Sequence, residues 1–240
     1  MIEYNPKEPL ISFHVPRCGG TSFERILKQW FGPYLFLHYY NPEHNLMPKL
    51  HSLKHRLFFW RYKYGVCIHG HFNHRRNYGV LDYYPYIKQY ISIVRDPFDL
   101  HVSNYFFSKK LIQRTAMNPK RNIAANRYDG LNHYLKEEPS FMMQLLPEQL
   151  TETNYQAFIE NHFVFIGVLE DYQRSIDILA DRLNKPRVKV EVLNKSPYDE
   201  TIADEENARK RFREKHSLEY KIYDLVKDNV ADLQRGSGEL

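Results

Sequence analysis

The chain has 240 residues, of which 42% are hydrophobic and 15% aromatic, and only two are cysteines. This composition excludes a disordered chain and a disulfide scaffold, and the length suits one domain with a substantial core. The formal net charge of +5 favours anionic partners such as nucleotides, acidic glycans, nucleic acids or lipid headgroups, without choosing among them. The sequence shows no N-terminal signal pattern and no apolar run of membrane-spanning length, so a reducing, cytoplasmic location without stable membrane insertion is expected.

The first predicted strand leads directly into a glycine turn and a helix. Residues 10–15 form an apolar run that includes Ser12 and His14, and an amphipathic pattern predicts a helix over residues 21–31. Such a strand, glycine turn and helix start can bind phosphate. The glycines let the backbone approach an anion, and the helix start offers free N–H groups.

The side chains of this turn also suit a phosphate. They supply a fixed positive charge, two hydroxyls that can also cap the helix, and a pair of glycines: Arg17, Cys18, Gly19, Gly20, Thr21 and Ser22. The turn is shorter than the NTPase loop G-x-x-x-x-G-K-[ST] and lacks its Lys. An ordinary strand–helix turn capped by Thr21 explains this stretch equally well.

The rest of the chain alternates predicted strands with predicted helices. Strands are predicted over residues 65–70, 90–94 and 163–168, and a strand or extended segment over 188–193. Helices are predicted over residues 97–110, 155–161, 171–183 and 203–230, with short helical pieces in 128–150. Residues 34–64 are interpreted as loops and short helices, and residues 72–85 and 111–127 as loops. The predicted class is α/β: one domain over residues 1–235 with a central, mostly parallel sheet flanked by helices. Residues 236–240 are interpreted as a flexible tail or expression remnant.

Two histidines follow the second predicted strand. His69 and His71 flank Gly70 in the segment IHGHF. Imidazole titrates near neutral pH, at a pKa of about 6.5, and therefore suits a general base. A surface histidine or one with a purely structural role is the plainer interpretation.

A basic residue and a hydroxyl follow the third predicted strand. Arg95 ends that strand, and Ser103 lies about two turns into the next helix, so both could reach one phosphate at the helix start. Alternatively, Arg95 pairs with Asp96 or Asp99. Asp96 and Pro97 are typical of a helix start. Ligands of parallel sheets bind at the carboxyl ends of strands, and three polar clusters at three such ends are hard to explain otherwise.

The segments VPRCGGTSF, HGHF and VRDPFDLHVSNYFF together resemble, in order and spacing, the motifs of the PAPS-dependent sulfotransferases. The resemblance is greatest to the glycan-modifying branch that includes heparan sulfate 2-O-sulfotransferase. Weaker matches follow at FIGVLEDYQRSIDIL and LNKS. The family usually carries Lys at the position of Arg17, so the positive charge is kept while its geometry changes.

The resemblance implies an α/β domain related to nucleotide kinases. Such a domain transfers a sulfuryl group in line from 3′-phosphoadenosine 5′-phosphosulfate (PAPS) to a hydroxyl, here one on a saccharide. Its implied site residues are a 5′-phosphosulfate loop (Arg17, Cys18, Gly19, Gly20, Thr21, Ser22), a 3′-phosphate pair (Arg95, Ser103), His71 as the base with His69 supporting it, and Lys195 in a loop that closes over the nucleotide. Arg17 is also implied in stabilising the leaving group.

Two other functions stay open at this point. The first is a P-loop kinase or NTPase, which would need the missing Lys and an Asp that binds a metal ion. The second is a non-catalytic module that binds anionic glycans or nucleic acids, and this hypothesis does not explain three motifs at strand ends. No carboxylate cluster or Cys/His set with metal-ligand spacing follows these strands, so the transfer is expected to need no metal. A nucleic-acid partner is not expected, and the sequence does not indicate an oligomeric state.

Overall fold

A parallel β-sheet forms the centre of the molecule. The computed structural model describes residues 1–51, 65–114, 128–190 and 205–235. Within these ranges five strands pair in the order β2-β3-β1-β4-β5, and every pair is parallel. The strands are β1 Leu10–His14, β2 Leu35–His38, β3 Cys67–Gly70, β4 Tyr90–Val94 and β5 Phe163–Val168. The predicted α/β class with a parallel sheet in a single domain is confirmed.

Helices flank this sheet. They are α1 Gly20–Phe31, α2 Val80–Tyr83, α3 Pro97–Arg114, α4 Leu131–Glu137, α5 Tyr155–His162, α6 Tyr172–Arg182, α7 Glu205–Lys215 and α8 Ser217–Arg235, with 3-10 turns at Gly32–Tyr34 and His74–Arg76. Helix α1 packs on β2 and β3, while α6 and α8 pack on β5; α3 packs against α4, α7 and α8. None of the helices in the described ranges is both long and apolar enough to cross a bilayer.

The strands are apolar because helices cover the sheet. Every residue of β4 and β5 is buried, which explains why both are near-continuous runs of β-branched and aromatic residues. Phe13 of β1 packs edge-on against Phe72 and Tyr90, each with a ring-centroid distance of 5.3 Å. These contacts pack β1 against β4 and against the segment that follows β3.

Strand β2 was not predicted. It lies within residues 34–64, which the sequence indicated to be loops and short helices, and it pairs with β3 at the sheet edge. Its first two residues are partly buried and the third, Leu37, is exposed, so β2 is not a buried strand of the kind that the sequence pattern identifies best. Similarly, α2 and a 3-10 turn lie within the loop predicted over residues 72–85, and α3 extends beyond residue 110.

Several predictions concern residues outside the described ranges. They are the remaining loops over 52–64 and 115–127, the end of the extended segment 188–193, the LNKS segment and the tail at 236–240. The extent of the domain over residues 1–235 stays a prediction. The strand order places β1 between β3 and β4, so the three polar clusters predicted from the sequence meet at one edge of the sheet.

Candidate active site

The turn between β1 and α1 has the backbone of an anion-binding loop. Arg17 and Gly19 both adopt left-handed conformations, with φ of 67° and 75°. For Arg17 this costs roughly 1–2 kcal/mol, a kind of strain that clusters at functional sites. Gly19 is the N-cap of α1, and no side chain accepts a hydrogen bond there, so Thr21 and Ser22 are not caps. Both lie in the first helical turn, and the helix start is left to face a ligand.

Arg17 joins this turn to α3. Its Nε donates a hydrogen bond to Ser103 Oγ at 3.0 Å, and its guanidinium carbon lies 4.7 Å from the ring centroid of Phe107. Ser103 is buried, so the contact is shielded from water. The structure therefore brings together two residues that the resemblance implies for two different phosphate groups.

Arg95 lies on the same side of the sheet as the turn. Burial raises the pKa of the Cys18 thiol, and the charges of Arg95 and Arg17 both oppose that rise, so both lie within electrostatic reach of this buried sulfur. Two positive charges predicted from separate motifs thus act on the same buried thiol, and the carboxylates of Glu170 and Glu219 act on it in the opposite direction.

The carboxylates that the sequence offered as partners for Arg95 are bound by another arginine. Arg209 of α7 lies 2.6 Å from Asp99 Oδ1 and 3.5 Å from Asp96 Oδ1, measured from its Nη2 and Nη1 atoms respectively. Asp96 Oδ1 also accepts a hydrogen bond from the backbone N–H of Asp99 at 3.0 Å and so caps α3, as predicted.

The two predicted histidines differ in depth. His69 is fully buried, and its Nδ1 lies 2.9 Å from Ser12 Oγ. His71 is half-buried, and its backbone N–H donates to the His38 carbonyl at 3.0 Å. In the described part of the chain, the Nε2 atoms of both rings are buried and have no hydrogen-bond partner. His71 is therefore the outer of the two rings.

A third imidazole, which the sequence analysis did not single out, completes this group. The ring of His14 stacks on His69 at a centroid distance of 5.2 Å and lies 4.6 Å from the ring of His71. Its Nδ1 is 2.8 Å from the Tyr39 hydroxyl. A Cβ atom built on Gly20 would be only 1.7 Å from His14 Nε2. His14 therefore lies between the helix start of the turn and His71.

The position of His14 follows from alternation along β1. Residues Ser12 and His14 are two apart, so their side chains face the same side of the sheet, toward the end of β3. The spacing of polar residues within the apolar run was the available signal, but only the strand order shows which neighbour they meet. Lys195, predicted to cover the nucleotide, lies outside the described residues.

Residues 1–232 match a family model described as the sulfotransferase family. The chain belongs to the sulfotransferase family. This favours sulfuryl transfer over the kinase and the non-catalytic module that the sequence had left open. A search of curated proteins found no match.

Two solved sulfotransferases are similar to this one. The crystal structure of a sulfotransferase from Alicyclobacillus acidocaldarius has a TM-score of 0.48 and 13% identity, over 90% of this chain and 96% of that chain. The mouse sulfotransferase SULT7A1 complexed with PAP has a TM-score of 0.39 and 12% identity, over 89% of this chain and 65% of that chain.

The three imidazoles of this sulfotransferase are uncharged at neutral pH. Burial, with a smaller contribution from neighbouring imidazoles, lowers the pKa of His14, His69 and His71 to about 3 each. A neutral ring keeps a nitrogen lone pair and can accept a proton. An anion bound at the turn would oppose the effect of burial and raise these pKa values.

We expect the ligand-free sulfotransferase to lose stability as the pH falls below about 6.5. Unfolded imidazoles take up protons near pH 6.5, whereas these folded ones do so only near pH 3, so the unfolded state holds more protons throughout that interval. Each ring contributes a slope of about 1.4 kcal/mol per pH unit. Urea unfolding at about pH 7 and at about pH 5 measures the loss of unfolding free energy. Both pH values lie above the range in which most carboxylates titrate.

A matched pair of variants separates this effect from a general effect of acid. His69→Gln keeps a polar group for Ser12 and should reduce the difference in unfolding free energy between the two pH values. His44→Gln, at an exposed histidine, should leave it unchanged. Equal pH dependence in wild type and His69→Gln would show that the buried ring does not titrate as described.

Proposed function

We propose that this sulfotransferase moves a sulfuryl group from PAPS to a hydroxyl of a saccharide. The observation that carries the proposal is the contact between Arg17 and Ser103, because it joins the turn after β1 to α3, the helix that follows Arg95. Two adjoining anion sites suit a nucleotide with phosphates on both its 3′ and 5′ positions. A nucleotide with a single chain of phosphates would leave the second site empty.

The described residues fit this donor. The left-handed backbone at Arg17 and Gly19 and the uncapped start of α1 would hold the 5′-phosphosulfate, with Cys18, Gly20, Thr21 and Ser22 in the same turn. Arg95 and Ser103 would hold the 3′-phosphate, through charge and a hydroxyl hydrogen bond. Lys195 is proposed from the resemblance to close over the nucleotide.

The chemistry needs a base and a stabilised leaving group. The acceptor oxygen attacks the sulfur, its proton passes to a ring nitrogen of His71, and the bond between sulfur and the bridging oxygen of the 5′-phosphate breaks. The products are the sulfated acceptor and 3′-phosphoadenosine 5′-phosphate (PAP). Negative charge grows on the departing phosphate, where Arg17 and the helix start stabilise it. His69, held by Ser12, would support the position of His71.

The low pKa of His71 is compatible with this role. In the ligand-free protein the ring is neutral, as a base must be, but a pKa of about 3 makes it a weak one. Donor bound at the turn places negative charge beside His14, which is in ring contact with His71. That charge favours the protonated imidazole and raises its pKa, so the base becomes stronger when the donor is bound.

The remaining details of this proposal rest on the resemblance and the composition. A saccharide acceptor and a place in the branch of heparan sulfate 2-O-sulfotransferase follow from the quoted motifs, and the net charge of +5 would favour an anionic glycan. No metal is proposed in the transfer step, because the cationic side chains already neutralise the leaving phosphate. A cytoplasmic location is proposed from the cysteine usage, and both cysteines are buried free thiols.

We expect the protein to bind PAP more tightly than ATP, because ATP has no 3′-phosphate for Arg95 and Ser103. Isothermal calorimetry with both nucleotides, with and without Mg²⁺, measures this. Arg95→Ala should weaken PAP binding by about 1.5–3 kcal/mol, the usual range for a hydrogen bond to a charged group, and should leave ATP binding nearly unchanged. Arg187→Ala, which removes an exposed arginine paired with Asp181, is the matched control. Equal affinities, or tighter binding of ATP with Mg²⁺, would contradict the proposed donor.

A further inference from the structure

A buried group of two histidines and a glutamate lies where α3 meets the start of α8. His101 belongs to α3, His216 connects α7 to α8, and Glu219 lies in the first turn of α8. All three residues are buried, with 0%, 4% and 1% of their surface exposed. One potential ligand atom from each lies within 4.8 Å of the others. The mechanism proposed above does not use this group.

One oxygen of the Glu219 carboxylate accepts hydrogen bonds, and the other does not. Its Oε1 accepts hydrogen bonds from the Ser140 hydroxyl and from the backbone N–H of Met142, the latter at 3.0 Å. Its Oε2 is buried without a hydrogen-bond partner among the described residues, 3.8 Å from His216 Nδ1. Burying an ionised carboxylate oxygen without a partner costs free energy of folding, unless a cation lies beside it.

His101 faces a related problem. Its Nδ1 lies 2.9 Å from the Pro97 carbonyl oxygen, and its Nε2 lies 3.5 Å from the Pro139 carbonyl oxygen. Carbonyl oxygens only accept hydrogen bonds, and a neutral imidazole has a single N–H to donate. If Nδ1 carries the hydrogen, the lone pair of Nε2 faces the Pro139 oxygen, and the two repel each other. A cation bound to Nε2 would remove this repulsion.

His216 has a nitrogen to offer as well. Its Nε2 is buried and has no hydrogen-bond partner within the described ranges. Its other nitrogen, Nδ1, lies 3.8 Å from Glu219 Oε2, so the ring has one nitrogen beside the carboxylate and one without a partner. The ring also stacks on Phe212 at a centroid distance of 4.1 Å, which fixes its orientation.

We propose that His101, His216 and Glu219 bind one Zn²⁺ ion. Two imidazoles and a carboxylate form a ligand set that suits zinc, and the hydrogen bonds on Glu219 Oε1 are the outer contacts that orient such ligands. Tetrahedral zinc bonds of about 2.0–2.2 Å place ligand atoms about 3.4 Å apart, so these atoms, now within 4.8 Å of one another, would approach each other by at most about 1.4 Å. The Pro139 carbonyl oxygen or a water supplies the fourth ligand. Because the group is closed to solvent, the ion has a structural role.

Such an ion would fix α3 with respect to α8 and the segment at Ser140. Helix α3 carries His101 and also Ser103, the partner of Arg17. The ion would thereby support the anion-binding region without touching it. The alternative is that the group holds a proton and no metal ion. The two alternatives differ in metal content, in metal-dependent stability and in spectroscopy.

The test uses the full chain purified without a metal-binding tag. Its zinc content is measured by mass spectrometry, the metal is removed with a chelator, and Zn²⁺ is returned during equilibrium dialysis and thermal unfolding. Co²⁺ serves as a spectroscopic probe, because its visible absorption reports coordination number and nitrogen ligation. The variants are His216→Gln and Glu219→Gln. His162→Gln is the matched control, because this ring also has a buried nitrogen without a hydrogen-bond partner in the described chain but lies outside the group.

The expected result is one Zn²⁺ per chain in wild type and in His162→Gln. At a hundredfold excess of free Zn²⁺ over its Kd, the melting temperature of both should rise by roughly 5–11 °C. His216→Gln and Glu219→Gln should lose both the ion and the rise. If wild type binds no Zn²⁺ and its melting temperature does not respond, the group holds a proton and the proposal is wrong. Equal binding by wild type and either variant would also overturn it. If neither variant folds, the absence of a four-coordinate Co²⁺ spectrum with nitrogen ligands in wild type would do so.

Discussion

Replacing His71 with Ala should lower sulfuryl transfer by about 10²–10⁴-fold, the usual contribution of a general base, while leaving the affinity for PAP nearly unchanged. The ring is the outer of the two histidines at the end of β3, and its Nε2 is a buried nitrogen with no hydrogen-bond partner in the described chain. In the proposed mechanism the acceptor hydroxyl provides this contact when it gives up its proton. Initial rates with saturating PAPS, together with calorimetry of PAP binding, separate the chemical step from donor binding.

Two neighbouring variants distinguish the base from residues that position it. His69→Ala removes the partner of Ser12 and should lower the melting temperature more than His71→Ala does. His14→Ala removes the ring between the turn and His71, and should affect PAP binding as well as the rate. Full activity in His71→Ala with loss in His69→Ala would reverse the two roles. Full activity in both would place the base elsewhere.

The second large effect is expected from Gly20→Ala. In the interior of an exposed helix such a change stabilises by up to about 1 kcal/mol. Here the added methyl group would lie 1.7 Å from His14 Nε2, so the ring or the helix start must move. His14 is held by the Tyr39 hydroxyl and two other imidazoles, and overpacking of this kind costs about 1–3 kcal/mol. A displacement of about 1 Å near the reacting groups should lower transfer by about 10²-fold.

A double variant identifies the cause. In Gly20→Ala/His14→Ala the obstructing ring is absent, so the free energy of unfolding should recover relative to Gly20→Ala alone. Urea unfolding of the two single variants and the double variant gives the coupling energy. Additive effects, with no recovery, would show that His14 does not obstruct position 20.

Much of the fold follows from the sequence because the fully buried strands are recognisable from their residues alone. Residues 90–94 and 163–168 are near-continuous runs of β-branched and aromatic residues, and the structure gives both strands the predicted bounds. Strand β2 was missed because only its last residue is buried, whereas β5, the other edge strand, is buried along its whole length. The cap at Thr21 was also wrong, since Gly19 reaches the left-handed conformation that ends the turn without a side-chain cap.

The motifs of the candidate site could be predicted from the sequence, but the contacts between their residues could not. Arg17 and Ser103 belong to different motifs, and only the folding of α3 over the turn creates their hydrogen bond. His14 is a single polar residue in an apolar run, and its importance depends on β3 being the neighbour of β1. The approach of His101 to His216 and Glu219 likewise depends on α3 packing against α8, which no local pattern encodes.

The most direct test of the proposed activity uses PAPS that carries radioactive sulfur in its sulfonate. The protein is incubated with this donor and with a panel of saccharides, lipids and small alcohols, and labelled products and PAP are separated by chromatography. Transfer of label to a saccharide hydroxyl, with formation of an equal amount of PAP, is the predicted result. Absence of label from every acceptor, together with Mg²⁺-dependent turnover of ATP, would contradict the account.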